Sequence, residues 1–133
     1  MSTHGSILVV EDQPALLGLL GDSLRLDGYQ VFEAIRPTEA MQHGLQHTEP
    51  IALLVTDVVM PEMSGPNLAR NLATRYPDMR VLYISGHPSD LVRSMGAFDG
   101  GATFLAKPFS LSKLSEAVSR ALAGASATTS EVA

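Results

Sequence analysis

Five residues capable of chemistry stand at the ends of, or directly behind, apolar runs: Glu11 and Asp12 after ILVV, Asp57 two residues beyond IALLV, Ser85 closing VLYIS, and Lys107 after TFLA. Brought together, three carboxylates repel one another, and a buried charge without a partner is costly, so such a set requires compensating cations. Lys107 supplies one positive charge. An oxygen-only ligand set, few in number, suits a hard divalent ion such as Mg²⁺ that keeps part of its water shell. A metal ion, a lysine, a hydroxyl and an accessible carboxylate are the parts needed to bind a phosphoryl group and pass it to oxygen, a transfer that depends on positioning and charge neutralisation. Asp57 is the natural acceptor, and its attack on phosphorus yields an acyl phosphate. A single Asp behind a strand is more often a turn former or a helix cap. The five positions taken together outweigh that reading.

The elements that must gather these residues are legible in the periodicity. Five short runs, 7–10, 31–34, 51–55, 81–85 and 103–106, are rich in β-branched or aromatic residues and read as strands. The first, third and fourth are nearly continuous rather than alternating, as expected of strands covered on both faces of a parallel sheet. Five helical stretches alternate with them. Leu16, Leu17, Leu20 and Leu24 repeat at helical spacing behind Pro14; Ala40, Met41 and Leu45 mark a weaker second helix; Leu68, Ala69 and Leu72 mark a third that stops before Pro77. A short fourth is expected from about Ser89 to Gly96, and the fifth carries Leu111, Leu114, Val118 and Leu122 with Ser110 as N-cap. Repeated strand-helix alternation implies right-handed crossovers and a doubly wound five-stranded parallel sheet with five helices, an α/β fold whose ligand crevice lies beyond the carboxyl ends of the strands. Residues 1–6 and 124–133 are read as mobile ends of a domain spanning 7–123.

Composition bounds the answer. At 133 residues, 45% hydrophobic and 17% charged, the chain suits one globular domain. The absence of cysteine excludes disulfides, thiolate catalysis and Cys-ligated metals. A net charge of −5 with scattered Lys and Arg argues against a nucleic-acid backbone as a direct partner. No run approaches the length of a membrane span and the N-terminus lacks the order of a secretory signal, so a cytoplasmic protein is expected.

The stretches ILVVEDQPAL, VTDVVMPEMSG, VLYISGH and FLAKPF, in this order and at this spacing, closely resemble the receiver domain of two-component response regulators, over about residues 6–123. The resemblance implies a flavodoxin-like fold with strand order 2-1-3-4-5. It implies that Asp57 is the phosphoacceptor, that Asp12 and Asp57 bind Mg²⁺ directly, that Glu11 does so mostly through water, and that the backbone carbonyl of Val59 is a further ligand. It further implies that Lys107 holds a phosphoryl oxygen and that the Lys107–Pro108 peptide is cis. Ser85 and Phe104 would form the switch: the hydroxyl swings toward the phosphoryl group and the ring turns into the space it leaves, a shift between two packings. The donor would be a sensor histidine kinase or a histidine phosphotransfer protein, and the output surface the fourth helix, fifth strand and fifth helix, about residues 88–122. Such a domain catalyses only its own phosphorylation and dephosphorylation. It is expected as a stand-alone regulator or as the receiver module of a hybrid kinase, and LYISGHPSD and FLAKPFSLSKL resemble the latter somewhat more.

The chain departs from the family pattern at several positions. Phe104 stands where Tyr is frequent, which removes a phenol oxygen. Val59 and His87 flank the site where polar side chains orient an attacking water; Val59 can orient nothing, which favours a long-lived acyl phosphate. RPTEA, residues 36–40, replaces the usual Gly or Asn before the second helix and reads as a loop variation remote from the chemistry. His43 and His47 have metal-clamp spacing without a third ligand and read as a solvated face. PEMSG reads as a turn in which Gly65 supplies a backbone conformation other residues resist. An aspartyl-phosphate phosphatase of the haloacid dehalogenase type requires DxDx after the first strand, where this chain has VEDQPA. A flavodoxin-type electron carrier requires a Ser/Thr/Gly-rich loop there. The remaining alternative, a phosphorylation-independent pseudo-receiver used for docking, normally lacks an acidic residue or the lysine, and both are present.

Overall fold

Alternate residues of one strand face opposite ways, and here each way leads into a core. In the computed structural model, which describes residues 5–47, 49–87 and 102–124, Ile7 and Val9 face one hydrophobic cluster and Leu8 and Val10 the other. That is why ILVV shows no alternation. The strands are β1 (Ser6–Val10), β2 (Gln30–Ala34), β3 (Leu53–Asp57), β4 (Arg80–Ser85) and β5 (Thr103–Ala106). All pair in parallel, in the order β2-β1-β3-β4-β5.

Four helices are described: α1 (Pro14–Leu26), α2 (Pro37–Gln46), α3 (Gly65–Ala73) and α4 (Leu111–Ala123). The last is the fifth helix of the sequence reading; the helix expected at Ser89–Gly96 lies outside the described residues. α1 and α4 cover one face of the sheet, through Leu17, Leu20, Leu24, Leu114 and Val118. α2 and α3 cover the other, through Ala40, Leu68 and Leu72. Caps fix where two helices begin. Ser64 Oγ accepts from the Asn67 N–H at 3.2 Å and Ser110 Oγ from the Lys113 N–H at 3.1 Å, and α3 ends before Pro77 as expected. Among the described residues no helix is long and apolar enough to cross a membrane.

β2 and β4 each begin one residue before the expected run, and β1 and β3 differ in ways that bear on the site. Ser6, read as part of a mobile end, is the first residue of β1, and its Oγ donates to Gln30 Oε1 at 3.1 Å. β3 omits Ile51 and Ala52 but includes Thr56 and Asp57, because backbone pairing with Tyr83 and Ile84 of β4 continues past the apolar run. Asp57 therefore ends the strand rather than following it.

Candidate functional site

Parallel pairing in register sets the carboxyl ends of the strands side by side. Val10 pairs with Thr56, Asp57 with Ile84 and Ser85 with Ala106, so Glu11, Asp57, Ser85 and Lys107 come to one edge. The backbone holds them there: Glu11 N–H donates to Ala34 O at 3.1 Å, Val58 N–H to Ile84 O at 3.0 Å, and Lys107 N–H to Ser85 O at 2.8 Å.

Glu11, Asp12 and Asp57 each place one carboxylate oxygen within 4.8 Å of the others; Glu11 and Asp57 are buried, whereas Asp12 is exposed. Lys107 Nζ lies 3.4 Å from both Glu11 Oε1 and Asp57 Oδ1. Glu11 Oε2 accepts from the Gln13 N–H at 3.1 Å. Asp57 Oδ1 is buried and accepts no hydrogen bond, its distance from Nζ being that of an ion pair. Burial, with the Glu11 charge second, pushes the Asp57 carboxyl from 3.8 up to about 7, against the opposing pull of Lys107. Burial alone would lower the Lys107 ammonium, but Asp57 and Glu11 together raise it. Three carboxylates thus face one lysine. The unsatisfied buried oxygen and the all-oxygen donor set fit a hard divalent cation such as Mg²⁺.

Around this centre, Ser85 Oγ donates to the His87 carbonyl at 2.8 Å. Phe104 stacks on Tyr83 with ring centroids 5.7 Å apart. Val59 is 57% exposed, His87 is exposed, and the Lys107–Pro108 peptide is cis. Gly65 is required for room rather than for backbone freedom: a Cβ there would lie 2.2 Å from the Asp57 carbonyl oxygen. The left-handed residue of the PEMSG turn is Glu62, at φ 75°.

His43 and His47 do not form a solvated face. Their rings stack at 4.1 Å, and Phe32 of β2 packs against both. Burial, then the neighbouring His47, lowers the His43 pKa. Neither belongs to the acidic centre. Two features escaped the sequence reading. One is a cavity of about 480 Å³ beside the site, lined by Leu16, Leu19, Leu20, Lys107, Phe109 and Leu111 among others. The other is a tie from Glu62 to Thr38, signalled in sequence only by a non-glycine in the turn and the unusual RPTEA.

The profile of the response regulator receiver domain family matches residues 7–119. The chain is 35% identical over 122 residues to the sensor kinase CckA of Brucella abortus, covering 92% of this chain but 13% of the kinase. It is 34% identical over 119 residues to the response regulator receiver protein CpdR of the same organism, covering 90% of this chain and 98% of CpdR. A receiver domain structure from Clostridium thermocellum superposes with a TM-score of 0.78 at 31% identity, covering 90% of this chain and 94% of that one.

Proposed function

The chain belongs to the response regulator receiver domain family of two-component signalling, whose partners are histidine kinases, and we propose that Asp57 accepts a phosphoryl group from a phosphohistidine donor in the presence of Mg²⁺. One observation carries this reading: Asp57 is a buried carboxylate with an oxygen free of hydrogen bonds, beside two further carboxylates and 3.4 Å from a lysine. Mg²⁺, held by Asp12, Asp57 and the Val59 backbone carbonyl, with Glu11 acting mostly through water, would neutralise charge on the phosphoryl oxygens.

The residues divide the remaining work. An Asp57 oxygen attacks phosphorus, the P–N bond of the phosphohistidine breaks, and its electron pair returns to the leaving imidazole. Lys107 Nζ turns from its two carboxylates to a phosphoryl oxygen. Ser85 Oγ gives up the His87 carbonyl for another phosphoryl oxygen, and Phe104 leaves its stack on Tyr83 for the vacated space. Partner binding follows on the surface that includes β5 and α4; the rest of the expected output face, about residues 88–101, lies outside the described residues. Val59, bulky and without a hydrogen bond to offer, slows attack by water, and exposed His87 faces the same traffic.

The protein acts on no separate substrate: it catalyses its own phosphorylation and dephosphorylation, in the cytoplasm, as a stand-alone regulator or within a hybrid kinase. Presence of Glu11, Asp12, Asp57 and Lys107 together weighs against a docking-only module. The donor protein docks over the mouth of the cavity beside Lys107, where Leu19, 50% exposed, and Leu111, 41% exposed, present apolar surface. The test is intact mass after incubation with acetyl phosphate and Mg²⁺. One added phosphoryl mass, lost in Asp57→Asn and in EDTA, supports the reading; no adduct from acetyl phosphate or from a phosphohistidine protein overturns it.

A further inference from the structure

The start of α2 is capped from outside. Its N-cap, Arg36, is extended and makes no side-chain cap, and Pro37 has no N–H to offer. The next donor, the Thr38 N–H, has no acceptor within its own helix. It is satisfied by Glu62, 24 residues away in the loop between β3 and α3, whose Oε1 accepts from Thr38 N–H at 3.3 Å and also from Thr38 Oγ1. Glu62 adopts φ 75°, a conformation that a side chain resists and glycine would accept freely. A carboxylate stands where the backbone favours glycine.

The loop so held is the one that follows the phosphoacceptor. Its base is fixed: Val58 N–H donates to Ile84 O at 3.0 Å and Val58 O accepts from Gly65 N–H at 2.8 Å. Between those anchors Met60 is buried while Val59, Pro61 and Glu62 are exposed, and Met63 N–H turns back onto Pro61 O at 2.9 Å. The tie at Glu62 fastens the exposed part of this loop to α2. We propose that Glu62, clasped by Thr38, is a positioning residue for the metal end of the site, holding the loop that presents the Val59 carbonyl. The inference rests on the Mg²⁺ reading above, and it makes RPTEA part of the site's support rather than a remote loop variation.

The test is calorimetric titration of the full chain with MgCl₂ alone, comparing wild type with Glu62→Ala, Glu62→Gly, Glu62→Gln and Thr38→Val. Removing the carboxylate weakens Mg²⁺ binding about tenfold, the low end for losing an outer-shell support. Glycine, which relieves the backbone, gives the same loss as alanine; glutamine, which keeps one acceptor oxygen, restores most of the affinity, and Thr38→Val falls between. Phosphorylation by acetyl phosphate slows at low Mg²⁺ and recovers at saturating Mg²⁺, a split that simple loss of helix stability would not produce. In EDTA, amide exchange at Val59, Met60 and Met63 quickens in Glu62→Ala and Glu62→Gly. Wild-type affinity in both variants, or unchanged exchange, overturns the clasp while leaving the phosphoacceptor reading intact. A wild-type protein that binds no Mg²⁺ overturns both.

Discussion

Replacing the acceptor should stabilise the metal-free protein. Between 3.8 and about 7 the folded protein holds a proton on Asp57 that the unfolded chain has released, so wild-type stability falls as pH rises through that window. Asn does not titrate. A rise of this size, from 3.8 to about 7, at about 1.4 kcal/mol per unit, sets an upper bound of about 4 kcal/mol on the cost of an ionised Asp57 near pH 8. Screening by penetrating water, and the partner that Lys107 loses in the variant, bring the expected gain for Asp57→Asn to roughly 2 kcal/mol. Near pH 5 the folded acceptor is protonated in the wild type and the gain shrinks to less than about 1 kcal/mol. Urea unfolding followed by circular dichroism, in EDTA at both pH values, measures the difference between variant and wild type, and titrating groups that do not interact with Asp57, such as His43, cancel in it. Added Mg²⁺ should stabilise the wild type more than the variant, since a ligand stabilises the state that binds it. A variant no more stable than wild type near pH 8, or a gap that does not change with pH, refutes the account of an electrostatically strained acceptor.

Three other outcomes follow from the same geometry. Val59→Asn should shorten the lifetime of the acyl phosphate about three- to tenfold, less than a full general base contributes, as read from the decay of the mass adduct; an unchanged half-life removes Val59 as a shield. Gly65→Ala drives a Cβ to 2.2 Å from the Asp57 carbonyl oxygen and should cost about 3 kcal/mol, the upper range for overpacking; an unshifted urea midpoint contradicts the close approach. Leu19→Asp or Leu111→Asp should slow transfer from a phosphohistidine protein about tenfold, as for an interface anchor, while phosphorylation by acetyl phosphate is preserved; equal loss from both donors would place these leucines outside the docking surface.

Much of this was legible in the chain. Strands buried on both faces write themselves as continuous apolar runs, and β1, β3 and β4 were readable for that reason. The gathering of Glu11, Asp57, Ser85 and Lys107 at one edge follows from parallel topology once the alternation is recognised, whereas the strand order rests on the resemblance to the receiver family. Backbone pairing is indifferent to side-chain polarity, which is why Thr56 and Asp57 belong to β3 although the apolar run ends at Val55. Helical periodicity places His43 and His47 on one face but is silent about what that face meets; the ring of Phe32, on the neighbouring edge strand, turned an expected solvated face into a stack. The PEMSG turn misled because Gly65 invited a conformational explanation, whereas the structure uses its lack of a side chain to let α3 start against the acceptor's own backbone. The Thr38–Glu62 tie joins the first turn of a helix to a loop residue 24 positions away, and no local pattern encodes it.

The bond from Ser85 Oγ to the His87 carbonyl sets the temper of the signal. In the proposed switch, that hydroxyl would trade one acceptor for a stronger one on turning to a charged phosphoryl oxygen, a net change of about 1 to 2 kcal/mol. Such a trade tilts a two-state balance by roughly five- to thirtyfold, far short of the 5.5 kcal/mol or so that a full reversal from one per cent to ninety-nine demands. By this contact alone the proposed switch would act as a dimmer rather than a toggle. The basal population would be set separately, by the free-energy gap between the two packings, and the depth of the response by whatever else, Lys107 or a bound partner, leans on the same balance.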